Sequence, residues 1–293
     1  MSLIKLSDIY DRLKVNPEPI EVKEARELIT DSFKDLEFIE DVHKYFLPPP
    51  KGKRKKIELP SVSSIIKRWE PEIDWEEKLA AKALRTGVEV EDLRRQWREA
   101  NITSTSCGSM THFFGENMMN MFIGREDETA NNMKFQYSDD GFLIPYCGKE
   151  RAITQYFLDI LNNPNVYPVM PEAKIYTNLN DMFHMKQPYA GTFDILLAYR
   201  YKGEIVFSLQ DYKTNASLYN DYARMNDQMM LEPFDDLYDE ALSHYAIQLS
   251  LYSLGLKQIG INVVDRVIIW LKDDDTYEKI KMPDLTERLL PLL

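Results

Sequence analysis

Residues 191 to 201 and 204 to 213 are two runs rich in β-branched, aromatic and aliphatic side chains, and only Lys202-Gly203 separates them. A two-residue connection ending in glycine predicts an antiparallel hairpin. Alternate side chains of a strand face the same way, so Ile205, Phe207, Leu209, Asp211 and Lys213 share one face while Tyr212 points to the other. Three apolar residues followed by two charged ones mean that this strand leaves the core at its C-terminal end. Asp194, near the start of the partner strand, comes to the same end of the hairpin. Two carboxylates and an ammonium are expected to converge there.

The remaining elements follow from periodicity and punctuation. Residues 1 to 36 read as short, peripheral helices broken at Pro17 and Pro19. Residues 36 to 47 and 57 to 62 are expected to pair as a hairpin, after which Ser61-Val62-Ser63-Ser64 offers helix caps. Residues 74 to 100 have helical spacing with a break at Gly87. A second helix is expected to start after the Ser/Thr cluster at 103 to 106 and run to about 123. A third should occupy 149 to 161, stopped by Asn162-Asn163-Pro164. Further strands are expected over 169 to 176 and 263 to 271, with a helix over about 237 to 259 between the last two strands. Helices packed on a mixed sheet give the α/β class. There is no internal repeat, and one compact unit is expected, with peripheral helices over 1–37, a hairpin and helical lobe over 38–105, and a core over 106–293.

Composition narrows the function classes. The 293 residues are 44% hydrophobic, enough for one large core. The longest apolar runs, such as Val267-Ile268-Ile269-Trp270-Leu271, are of strand length and far too short to span a bilayer. The first residues turn charged too early for a secretory leader, so a cytoplasmic location is expected. Two cysteines, Cys107 and Cys147, make no disulfide framework and are too few for an iron-sulfur cluster. They read as small hydrophobes. A net charge of -12 argues against binding nucleic acid through overall charge, so any phosphate-binding face must be local. The one dense basic run, Lys51, Lys53, Arg54, Lys55 and Lys56 beside Pro48-Pro49-Pro50, is either a solvated loop or a phosphate contact.

Three constellations carry chemistry. Asp194 and Asp211 are hard oxygen donors that suit Mg²⁺ or Mn²⁺, which polarises a phosphate and acidifies water, and Lys213 could orient or deprotonate water or stabilise charge on phosphorus. The same residues also describe an ordinary surface ion pair. In Gly108-Ser109-Met110-Thr111-His112-Phe113-Phe114-Gly115-Glu116, His112 and Glu116 share a helix face, so His112 could ligate the same ion with Glu116 orienting its ring. Alone, this is equally a capped core helix with a satisfied histidine. Gln248 and Tyr252, with Tyr245 on the same side, are polar groups in an apolar helix, costly if unpaired. They either bond the sheet edge or organise the lysine and a phosphate. His43, His184 and His244 have no comparable support.

Taken in order, these segments resemble the PD-(D/E)XK nuclease superfamily, in the RecB-like branch that includes phage exonucleases and the mitochondrial genome maintenance exonuclease. The matching pieces are Gly108-Ser109-x-x-His112-x-x-x-Glu116, Ala190-Gly191-Thr192-Phe193-Asp194, Gln210-Asp211-Tyr212-Lys213-Thr214 and Gln248-Leu249-Ser250-Leu251-Tyr252. Upstream, His43-Lys44-Tyr45 and Leu59-Pro60-Ser61-Val62-Ser63-Ser64-Ile65-Ile66 resemble the leading segment of the exonuclease-like members, so the likeness covers residues 38 to 285. It implies a restriction-endonuclease-like core and a Mg²⁺- or Mn²⁺-dependent deoxyribonuclease, more an exonuclease than an endonuclease, in phage or bacterial DNA replication, recombination or repair. His112, Asp194, Asp211 and the Tyr212 carbonyl take the family's metal-ligand roles, Lys213 that of the catalytic lysine, and Gln248 with Tyr252 the Q-x-x-x-Y pair. Glu172 resembles the acidic residue of the preceding strand. Ser109 stands where relatives often have threonine, and the cluster-binding cysteines of some relatives are missing, so no iron-sulfur cluster is implied. Two other readings compete: an inert DNA-binding scaffold, against which Asp194, Asp211 and Lys213 all speak, and an enzyme of small phosphoesters, for which there is no nucleotide-cradling glycine loop.

Overall fold

The computed structural model describes residues 3–125, 134–177 and 187–293; His184 lies outside them. The chain opens with α1 (Leu6–Val15) and α2 (Ile20–Phe33), parted by the two prolines. β1 (Glu37–Ile39), β2 (Lys44–Leu47) and β3 (Ile57–Leu59) form a small antiparallel sheet, with Tyr45 opposite Leu59. Ser61 then caps α3 (Val62–Ile66) by accepting from the Ser64 amide, and Asp74 caps α4 (Trp75–Thr86) through Glu77. Gly87, at φ 69°, ends α4 in the left-handed conformation that glycine adopts without steric cost.

α5 runs unbroken over Val90–Phe122. The Ser/Thr cluster at 103 to 106 therefore starts no new helix. A capping side chain needs a backbone that is leaving the helix, and here thirteen residues before it are already helical with no Gly or Pro between; propagating a formed helix is far easier than nucleating another. The expected boundary at 105 marks a change of surroundings within one helix. Before it only Leu93 is buried, whereas Thr111, Phe114, Gly115 and 117 to 122 are.

After the short β4 (Gln136–Tyr137) and β5 (Leu143–Ile144) come α6 (Gly148–Asn162), β6 (Val166–Tyr176), β7 (Ala190–Tyr201), β8 (Glu204–Lys213), α7 (Asp221–Met225), α8 (Ala241–Lys257), β9 (Val263–Leu271), β10 (Tyr277–Lys281) and α9 (Thr286–Leu289). Among the described residues the main sheet has five strands in the order β10-β9-β8-β7-β6, with β8 and β9 parallel and the other pairs antiparallel. β10 is an addition to the sequence reading; its signal was the alternation in Tyr277-Glu278-Lys279-Ile280-Lys281 after an acidic turn.

Helices cover both faces. Leu196, Ala198 and Leu209 pack with α2, α3 and α8, whereas Ile195, Leu197 and Tyr212 pack with α1, α6 and the buried half of α5. The mixed α/β class follows. α2 is not peripheral: Val22, Ala25, Ile29 and Phe33 are buried in the first of these layers, because four apolar residues at helical spacing form a stripe that the sheet can cover. No helix among the described residues is long and apolar enough to cross a membrane.

Candidate functional site

The β7–β8 ladder ends at Ile195 opposite Gln210, while β8 continues beside β9 as far as Lys213. One residue past the end of that ladder, Asp194 replaces the missing pairing with its side chain, Oδ2 accepting from the Tyr212 amide at 2.7 Å. A strand residue directs its N–H and C=O to the same neighbour, so the Tyr212 carbonyl also faces β7. On the other side the β6–β7 register passes from Pro171–Ile195 to Ala173–Phe193, leaving out Glu172. Glu172 has φ 40°, a left-handed conformation costing a non-glycine residue about 1 kcal/mol. Layer membership changes here too, since Phe193 packs with α8 although Ile195, two residues on, packs with α5 and α6.

Into this gap α5 sends His112. Its Nδ1 lies 3.4 Å from Asp194 Oδ2 and 3.5 Å from Glu172 Oε1. Gly108, His112 and Gly115 share a helix face, and the glycines set how closely that face approaches the sheet. A Cβ on Gly115 would stand 2.7 Å from both Ile153 Cδ1 and Tyr212 Cε2, and one on Gly108 3.3 Å from Thr214 Oγ1. The Tyr212 ring also meets the imidazole edge-on at 5.9 Å. From the opposite layer α8 contributes Gln248, whose amide donates to the Tyr252 hydroxyl at 3.1 Å. Gly191 admits Tyr252, whose Cε1 would be 2.6 Å from an added Cβ.

Asp211 is 2% exposed and paired with Lys213. The ammonium also sits 4.2 Å above the Tyr245 ring; the Tyr245 hydroxyl donates to Asn215 Oδ1 at 2.8 Å, and Trp270 Nε1 donates to the Asn215 carbonyl at 2.8 Å. Asn215 was not foreseen, and no local pattern marks it. Asp194, Asp211, Lys213, Gln248, Tyr252, His112, Glu116 and Glu172 all line one cleft of about 570 Å³, as does His43. Asp194 and Glu172, on two different strands, bring carboxylates to the imidazole, and Glu116 of its own helix lines the same cleft. His244 is elsewhere, bound to Asp239 at 2.9 Å. Cys107 and Cys147 are free and only partly buried.

No protein-family model and no curated protein matches the sequence. The reading of the site therefore rests on its own chemistry.

Burial raises the Glu172 carboxyl to about 7 and the Asp211 carboxyl to about 6, in each case aided by the charge of Asp194. Asp194 is also buried, but His112 and Lys213 outweigh that and hold it below the usual range. Burial opposes the charge on His112 and Lys213 as well, yet the surrounding carboxylates leave both pKa values raised. Donor atoms of His112, Glu172 and Asp194 all lie within 4.8 Å of one another. Crowded carboxylates, two of them pushed toward protonation, with an imidazole beside them, could hold a metal ion, which would replace the protons as counter-charge.

Proposed function

We propose that the protein is a metal-dependent deoxyribonuclease on a restriction-endonuclease-like core, of the PD-(D/E)XK type that its motifs resemble. The observation that carries this reading is the convergence of Asp194, Asp211, Glu172, His112 and Lys213 where β7 and β8 part. His112, Glu172 and Asp194 would hold Mg²⁺ or Mn²⁺, with Asp211 and the Tyr212 carbonyl beside them. The ion would supply positive charge at the phosphate and a more acidic water. Lys213, kept charged by Asp211, stabilises the negative charge that builds on phosphorus. Asp211 and Tyr245 hold that ammonium in place. Gln248 and Tyr252, joined to each other, present an amide and a phenol to a phosphate oxygen. Exonuclease action in phage or bacterial replication, recombination or repair, in the cytoplasm, is the expected setting.

A time course on end-labelled linear and on circular DNA, single- and double-stranded, with Mg²⁺, Mn²⁺ or chelator, tests the reading. Cleavage of linear DNA that needs the ion, and is lost in Asp194→Ala and Asp211→Ala while circular dichroism stays unchanged, is expected. Undiminished cleavage by either variant would remove the site assignment, and inactivity of the wild type on every substrate would leave the inert scaffold.

A further inference from the structure

The small sheet β1–β3 has no place in the chemistry above, yet it forms one wall of the cleft. Phe38, His43 and Tyr45 all line the cleft. Tyr45 is buried and anchored, its hydroxyl 3.0 Å from Thr192 Oγ1, and it stacks on Phe38 with ring centres 4.6 Å apart. His43 meets the edge of Phe38 at 5.2 Å, is exposed, and is held at φ 53° by the tight turn before β2. A buried ring thus backs two rings that the cleft can reach.

The other end of the same sheet carries the basic run. β2 and β3 close at Leu47 opposite Ile57, two residues or about 7 Å along the strand from the Tyr45–Leu59 pair. Residues 48 to 56 therefore hang just beyond the cleft wall, and 51 to 56 are all exposed. Lys56 pairs with Glu37 and Lys44 with Glu58, so the sheet's own carboxylates at this end are matched. Among the described residues, Lys51, Lys53, Arg54 and Lys55 have no acidic partner within ion-pair distance. Lys174, opposite Thr192 in the β6–β7 ladder and two residues beyond Glu172, adds an exposed cation to the cleft lining. In a chain of net charge -12, this puts local positive charge at one end of the sheet whose rings, with Glu40, line the cleft.

Rings that stack bases beside cations that follow a phosphate backbone are how proteins bind single strands; in a duplex the base faces are not available. We infer that β1–β3 is the strand-guiding wall of this protein, taking single-stranded DNA with bases on Phe38 and His43 and phosphates on Lys174 and the 51–55 loop. The inference rests on the nuclease reading for its direction into the cleft, but its binding test does not depend on cleavage.

The test uses the full chain and a labelled oligothymidylate of about 20 nucleotides, with binding measured in Ca²⁺ from 50 to 300 mM salt. Replacing Lys51, Lys53, Arg54 and Lys55 with Gln should lower the slope of log K against log salt by about 3, at ~0.7 per phosphate contact, and cost about tenfold or more in affinity. His43→Asn keeps a residue that tolerates φ above zero, and should lose about fivefold in affinity with the slope unchanged. Wild-type slope and affinity in the four-site variant would overturn the inference, as would tighter wild-type binding to a blunt duplex of equal length. Hydrolysis of bis(p-nitrophenyl) phosphate with Mn²⁺, which needs no guiding wall, should be equal in wild type and the four-site variant. If the wild type binds the oligonucleotide as expected but hydrolyses neither substrate, the nuclease reading fails and the binding wall stands.

Discussion

Lys213 stands between Asp211 and the face of Tyr245, and the two hold its charge in place from different directions. A compact ammonium so fixed can act on developing charge without reorganising, which is the condition for a transition-state contact. Lys213→Ala should therefore lower kcat and kcat/KM together, by about 100-fold or more, with DNA affinity in Ca²⁺ little changed. Arginine should restore little of this, because its planar fork does not fit a point-charge site. Single-turnover cleavage at saturating enzyme separates the outcomes. A variant that binds DNA weakly yet cleaves bound DNA at the normal rate would make Lys213 a phosphate anchor.

At the scale of an element, the placement of α5 decides whether His112 reaches the sheet. The glycine that permits this approach is Gly115. Adding a methyl group there removes the helix penalty of glycine, about 1 kcal/mol, but drives a Cβ to 2.7 Å from the buried Tyr212 ring and from Ile153. Ile153 ends in a movable methyl group, whereas Tyr212 is wedged among Tyr156 and His112. Overpacking of about 1–3 kcal/mol should win. Gly115→Ala is expected to lower Tm in chelator by a few degrees and, by lifting α5, to weaken Mn²⁺ binding several-fold. Gly108→Ala, with a single contact at 3.3 Å, should do less of both. Calorimetry with and without Mn²⁺ reads the two effects; unchanged Mn²⁺ affinity in Gly115→Ala would mean that His112 is not a ligand.

Across the whole molecule, two buried carboxylates, Asp194 and Asp211, and the half-buried Glu172 in one cleft make stability depend on pH. Glu172 rises to about 7 and Asp211 to about 6, above their unfolded values. The unfolded chain has already released these protons by pH 5, so their stabilising contribution is full at lower pH and is lost as pH rises toward 7. His112, also raised, acts in the same direction, whereas Asp194, lowered, matters only below about pH 4. Metal-free protein should therefore be more stable at pH 5 than at pH 8, by about 2 kcal/mol or several degrees in Tm. Glu172→Gln should flatten much of that slope, and Mn²⁺ should reverse it, because the ion binds only the deprotonated ligands. A wild-type Tm profile that rises from pH 5 to pH 8 without metal would contradict this.

Local pattern was enough to determine much of this protein. The Lys202-Gly203 turn, the helix break at Gly87, the cap at Ser61 and the spacing of Asp211 and Lys213 depend on backbone stereochemistry and side-chain alternation within a few residues, and each is found where the sequence puts it. The same is true of the pocket-lining set, since alternation along β8 and four-residue spacing along α5 and α8 determine which side chains leave together. What needed the tertiary structure lies in relations between elements. Only packing shows that α2 covers the sheet, that α5 is one helix whose second half is buried, and that its glycines bring His112 to Asp194. The left-handed Glu172 opposite Asp194, and Asn215 behind Tyr245, follow from neighbours distant in the chain. Register and burial are set by those neighbours, so no short window of sequence contains them.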